Sequence, residues 1–296
     1  MFVISTSVSA MLAMVAVVLV YAIFDIFNGR NVPTMFAYGA LLLSALFTLS
    51  IGAGNVPLLE ESALIAVVIL AVGYLMYKAG QLGAADVLEF ATISLFMPLQ
   101  TAPLLAPTSY QYNIPFIVSV FISAGVVALA LIPIYYVPRA ARLLKKPIFS
   151  RVSKKDVPKA LTITAAYAAF LIFLTVIMHA KATLLAVIAI VMVSSVATIL
   201  YEKPITDSMV SMIYPRQLED QDIVALNLMS SKDIARIKRK VKGFNKLVSD
   251  KMIKAMQKSF PKLKIPVYRS AMPMALPILI GTVISLLVGN LLLYLF

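Results

Sequence analysis

The 296-residue chain contains no cysteine, no tryptophan and a single histidine, and only 13% of its residues are charged. Without cysteine there can be no disulfide, no thiolate metal site and no cysteine nucleophile. One histidine excludes a multi-histidine metal centre and leaves a Ser-His triad only His179 to rest on. Without tryptophan, an interfacial aromatic belt falls to Tyr and Phe. A soluble domain carries about 25% charged residues, roughly twice the share found here. What is abundant is apolar: 61% of the chain. Together these features describe a multi-span membrane protein rather than a large soluble core.

The apolar segments predict an all-α polytopic membrane protein. Spans are expected near 3–24, 34–53, 62–78, 84–104, 115–137, 159–178, 182–200 and 272–295. Each approaches the roughly 20 residues that cross ~30 Å of hydrocarbon. Eight spans are therefore expected, the third being the shortest, with a tight hairpin at "HAKA" between the sixth and seventh. The first lacks a basic flank and a small-residue cleavage site, so it reads as a permanent helix rather than a signal peptide. The chain divides into a helical core over 1–200, including a loop at 138–158, a basic segment over 201–271, and a last helix over 272–296.

Basic residues set the orientation. With the N-terminus outside, the inner loops hold Arg30, Lys78, eight Lys/Arg from Arg139 to Lys159, and fifteen from Lys203 to Arg269. Only Lys181 falls outside. This asymmetry follows the positive-inside rule and accounts for the net charge of +13 without nucleic acid as a partner. The outer loops then hold Glu60 and Glu61. The segment 201–271 is expected to be a small cytosolic α+β insertion. "SSKDIARIKRKVKGFNKLVSDKMIKAMQKSF" reads as one helix capped by Ser230 or Ser231, with Asp233 in its first turn. Its apolar stripe of Ile234, Ile237, Val241, Phe244 and Val248 suits either packing on its own domain or lying on anionic headgroups.

Three acids fall at the cytosolic ends of spans: Asp25, Asp86 and Glu89. Acids in membrane helices default to function; the bland alternative is a wet interface, or pairing with Arg30 or Lys78. Asp25 and Asp86 are expected at one face and one depth. Two carboxyls that meet share one proton, because like charges a few ångströms apart resist double ionisation. Such a pair can activate water and polarise a carbonyl, which is peptide hydrolysis without metal, cofactor or covalent intermediate. Glu89 has no place in that two-carboxylate scheme.

The residues around these acids carry a resemblance. "DIFNGRNVP" (Asp25 to Pro33) resembles the first aspartate motif of the prepilin and preflagellin peptidases: aspartate, polar turn, basic residue, then an aliphatic–proline step. "GAAD" (Gly83 to Asp86) resembles their second motif, glycine–any–glycine–aspartate. "LEDQDIVALNL" and the last apolar stretch look like the soluble segment and final helix of the archaeal branch. The resemblance implies a polytopic aspartic endopeptidase that removes short basic leader peptides from archaeal pilin or flagellin precursors at the cytosolic face of the cell membrane. Asp25 and Asp86 stand at the positions of its catalytic aspartates, with Gly80, Gly83 and Ala85 in the active-site loop. The cysteine-rich zinc module of bacterial relatives has no counterpart here. Two positions depart from the pattern: Ala85 replaces the motif's second glycine, and Leu88 stands where a basic residue is frequent.

Within the scheme, Glu89 and the "QLEDQD" acids Glu219, Asp220 and Asp222 are candidate contacts for a basic leader; a solvated turn is the simpler reading of the latter cluster. Helix ends assign the roles. Asp86 opens a helix and is expected to be mainly ionised, whereas Asp25 closes one and is expected to be mainly protonated. A transporter or channel with intramembrane acids is the rival reading, since Gly- and Pro-interrupted spans also mark transport sites. A catalytically inactive relative and a membrane assembly factor are further alternatives.

Overall fold

The computed structural model describes residues 2–29, 31–79, 81–99, 104–105, 114–144, 156–220, 222–241, 243–268 and 273–290. The chain is mostly helical, at 76%, with one small two-stranded sheet among the described residues. The helices are α1 (Phe2–Phe27), α2 (Thr34–Gly52), α3 (Val56–Lys78), α4 (Ala84–Phe96), α5 (Phe116–Leu144), α6 (Asp156–Val176), α7 (Ala182–Leu200), α8 (Glu202–Met209), α9 (Ser231–Lys240), α10 (Asp250–Ser259) and α11 (Ala275–Leu287).

Five of these are long and apolar enough to cross a membrane: α1, α2, α3, α5 and α6. The α7–α8 pair makes a sixth if its 74° bend is counted within one span. The expected eight spans are thus not all found. The segments expected at 84–104 and 272–295 are α4 and α11, each of 13 residues. A helix that short is about 20 Å long, against ~30 Å of hydrocarbon. α4 stops at Met97 because Pro98 follows and cannot extend it. α11 stops before Gly289, which takes φ +86°, a conformation that suits glycine. α3 has 23 residues instead of being the shortest span, and takes in Glu60 and Glu61. Asn55 starts it, accepting the Leu58 amide at 3.3 Å.

The two short helices are nonetheless the inner ones. α4 packs on α1, α2, α3 and α5, and α11 packs on α1 and α5. The shared core joins Met14 and Val18 of α1, Phe90 and Ile93 of α4, Val120 of α5 and Ile278 of α11. The longer helices turn apolar side chains such as Leu42, Leu64, Leu75 and Ile172 outward, as lipid-facing residues do. Small residues bring α5 and α11 close: the Ser285 hydroxyl donates to the Ser123 hydroxyl at 3.2 Å in a buried contact. α6 and α7 pair through the hairpin at His179, an exposed residue at φ +48°, where histidine is tolerated in a turn. Tyr135 is partly exposed, as an interfacial anchor would be. Tyr136, expected to serve in the same way, is instead buried against Ile205 of α8.

Residues 210–268 build a second core. Strands β1 (Val210–Ile213) and β2 (Ile265–Tyr268) pair antiparallel, with Ile213 opposite Ile265. Around them pack Val224, Ile237, Val241, Phe244, Val248 and Met256. Four of the five residues of the stripe expected on the long basic helix, all but Ile234, therefore pack in this core. The helix itself is two: α9 ends at Lys240, and the chain turns through Gly243 at φ +78° before α10 begins. The Ser230 cap is as expected, its hydroxyl accepting the Asp233 amide at 3.1 Å.

A Cβ added to Gly281 would come within 2.5 Å of the Ala124 backbone nitrogen, whereas one on Gly125 meets nothing within 4 Å. Both replacements gain similar helix propensity, roughly 1 kcal/mol. Gly281→Ala is therefore expected to lower the thermal unfolding temperature in detergent, because overpacking costs about 1–3 kcal/mol. Gly125→Ala should leave that temperature unchanged or raise it. Equal behaviour of the two variants would remove close α5–α11 packing as a stabilising feature.

Candidate active site

The site begins with local chain chemistry. Asp25 lies in the last turns of α1, which the Asn28–Gly29 turn closes; Gly29 takes φ +60°. The Asn28 side chain donates to the Asn31 carbonyl at 2.7 Å and holds the exit of the turn. Tyr21, one turn before Asp25, is fully buried, and its hydroxyl donates to the Ala37 carbonyl of α2 at 3.3 Å. That contact fixes the α1 face carrying Asp25 against α2. Asp25 is itself only 7% exposed.

Asp86 is at the third position of α4, after Gly83 as N-cap. Its carboxylate reaches back and accepts the Gly83 amide at 2.9 Å. This is one half of a capping box, formed by an acid at the position where such boxes place one. A Cβ on Gly83 would sit 3.0 Å from the Asp86 Oδ2. The glycine is thus explained by room for the returning carboxylate; its φ is an ordinary −75°. Ala85 lies inside the first turn of α4 and is not among the described residues with positive φ. The position occupied by glycine in the family motif is helical here, and alanine suits it. Leu88 packs half-buried against the cluster of Tyr21, Ala22, Ala37, Ala40 and Ala275. Gly80 and Arg30 lie outside the described residues.

Asp25 and Asp86 converge. They interact electrostatically with each other, and both with Glu89. They do so at the end of the bundle from which α11 begins, directly after the β1–β2 domain. The Asp25 carboxylate accepts the Ala275 backbone amide at 3.0 Å, a buried bond between residues 250 positions apart. Ala275 is the first residue of α11, so Asp25 sits on an unpaired amide at the positive end of that helix. The expected division of roles loses its basis. Each aspartate lies at a helix N-terminus, Asp86 at its own and Asp25 at that of α11. The carbonyl end of α1 is thus opposed at Asp25 by the amide end of α11.

Glu89 follows Asp86 by one turn and is fully buried. Neither of its carboxyl oxygens has a hydrogen-bond partner among the described residues, and the Thr92 hydroxyl, one turn further, lies beside that of Tyr21. The acids of "QLEDQD" stand apart, in the β1–β2 domain, with structural tasks. Asp222 accepts the Glu219 amide at 2.9 Å, and Asp220 accepts the Asp250 amide at 3.1 Å, at the start of α10. Among the described residues no group of three His, Cys, Asp or Glu side chains has the arrangement of a metal site.

The sequence showed that acids stand at these helix ends, but not the backbone amides that receive them. Asp86→Asn keeps an acceptor for the Gly83 amide, whereas Asp86→Ala removes it. Losing a cap costs about 0.5–2 kcal/mol. Thermal unfolding is expected to show Asp86→Ala destabilised by that amount and Asp86→Asn close to the parent protein. Equal loss in both would mean that the carboxylate–amide bond contributes nothing.

Comparison with family models, with curated proteins and with solved structures returns no match to this chain.

Proposed function

We propose that the protein is a membrane aspartic endopeptidase that removes short basic leader peptides from type IV pilin-like or archaeal flagellin precursors. The observation that supports this reading best is the meeting of Asp25 and Asp86. Two carboxyls from distant helices share one secluded end of a helical bundle, and each is oriented by a backbone amide. The motif resemblance adds the substrate class. The excess of Lys and Arg in the loops at that end adds the side, which on the positive-inside rule is the cytosol.

The chemistry follows from the pair. One aspartate is ionised and takes a proton from water as the oxygen attacks the scissile carbonyl. The other donates its proton to the carbonyl oxygen, giving a tetrahedral diol. Collapse of that diol breaks the C–N bond: the proton gained from water passes to the leaving nitrogen, and one diol hydroxyl gives its proton to the aspartate that had donated. Charge is conserved, and both aspartates end the cycle in their starting states. The pair titrates as a unit, so the starting proton belongs to the two together.

The substrate must be extended at the cleavage point, because a helix hides its amides. An apolar groove of about 250 Å³ runs beside α4, lined by Val72, Gly73, Leu82, Val87, Phe90 and Phe121. Val87 and Phe90 directly follow Asp86 and Glu89 in the chain. The groove suits the apolar segment that follows a leader peptide. The rival reading, a transporter, draws on the buried Glu89 and on the short, interrupted helices α4 and α11.

Asp25→Asn and Asp86→Asn are each expected to reduce cleavage of a basic-leader precursor by at least the 10²–10⁴-fold that positioned acid–base groups supply. Both proteins should remain folded and membrane-inserted. The assay is incubation of purified protein with precursor, followed by mass measurement of the shortened product. Appreciable cleavage by either variant would sink the assignment. Acid-dependent ion flux into vesicles, with no cleavage, would favour the transporter.

The acids of the "QLEDQD" cluster allow a separate test. Asn and Gln retain the acceptor oxygens at Glu219, Asp220 and Asp222 while removing their charge. The triple variant is expected to raise KM for a basic leader and leave kcat nearly unchanged. An unchanged KM would exclude leader recruitment by this cluster.

A further inference from the structure

Glu89 is the feature that the two-carboxylate scheme does not use. It is a charged residue type, wholly buried, with both oxygens unpartnered among the described residues. The groups that interact with it are Asp86 from α4 itself, and Asp25 and Tyr21 from α1. None of these is a cation. Thr92, one turn on, is a second buried polar group, beside the Tyr21 hydroxyl. A buried carboxylate needs a cation or several donors to hold its charge. Among the described residues it has neither, and two further acids stand beside it. A carboxylic acid, by contrast, carries no charge to compensate and brings its own O–H donor.

We propose that Glu89 is a third, neutral member of the site: a buried carboxylic acid that keeps the Asp25–Asp86 pair at a single negative charge. It touches no reacting atom in this scheme and is a positioning residue acting through Asp86. The active cluster holds two protons on three carboxyls, one on Glu89 and one shared by the aspartates. Loss of either proton adds a second negative charge to the same secluded space and stops the reaction. The alkaline limit of activity is then set by all three groups, while the acid limit is set by protonation of the ionised aspartate alone.

The charge state does not depend on the peptidase reading, whereas the effect on activity rests on it. The experiment therefore has two arms. In the first, infrared spectra of the purified protein are compared with and without ¹³C-labelled glutamate. The chain has five glutamates, and among the described residues Glu89 alone is buried. A protonated glutamate C=O band is expected at neutral pH, shifted by the label and absent in Glu89→Gln. Lack of such a band in the labelled parent protein overturns the proposal even if the variant fails to fold. In the second arm, cleavage is followed over a pH series. Glu89→Gln, a neutral mimic, is read by the shape of its pH profile relative to its own maximum. Its alkaline limb should move to higher pH and its acid limb should stay in place. An unmoved alkaline limb, or loss of cleavage at every pH, overturns the proposal. If the parent protein cleaves no leader at all, the peptidase reading fails while the infrared arm still decides the state of Glu89.

Discussion

The bond from the Ala275 amide to the Asp25 carboxylate ties the first helix of the chain to the last. Much of the site depends on it. A carboxylate can be buried only where donors receive it, and the opening turn of a helix offers unpaired amides. α11 supplies that opening turn because the β1–β2 domain delivers the chain to its start. Once Asp25 is fixed there, the same face of α1 presents Tyr21 to α2, and Asp86 of α4 faces the remaining space. The capping of α4 by its own Asp86 is local, but its meeting with Asp25 is tertiary.

The two short helices carry this arrangement. α4 and α11 are enclosed by longer neighbours, so their polar groups meet protein and not lipid. Buried Ser94, Thr282 and Ser285 bond within their own helices or to α5. Thr48 of α2 donates to the Leu95 carbonyl near the end of α4. Helices of 13 residues are held by packing rather than by matching the membrane's thickness. Beyond α11, the amides of Leu104 and Leu105 pair with the carbonyls of Leu286 and Leu287. The last turn of that helix thus keeps its orphan carbonyls satisfied.

How much of this was legible depends on which physical signal each element leaves. The outer helices announce themselves by length and continuous apolarity, and α1, α2, α5 and α6 fall close to where the sequence puts them. α4 and α11 are apolar because they are buried in protein, and composition does not separate that cause from lipid exposure. Pro98 and Gly289 were the local signs that these helices stop early. Gly243 was likewise the sign that the basic helix is two. For the site, Asp25 and Asp86 stood out because acids are rare in such a chain. The charge environment of Asp25 did not, since its partner lies 250 positions away. Glu89 was visible as a residue, but its complete burial is a property of four packed helices that no short window contains.

The unequal lengths of inner and outer helices also have a direction. The outer wall can span the hydrocarbon, at 19 to 29 residues per helix, while the inner pair covers only about two-thirds of it. Asp86, half-buried, opens α4 beside Asp25, which is two residues from the end of α1, so the length that α4 lacks lies toward its other end, past Met97.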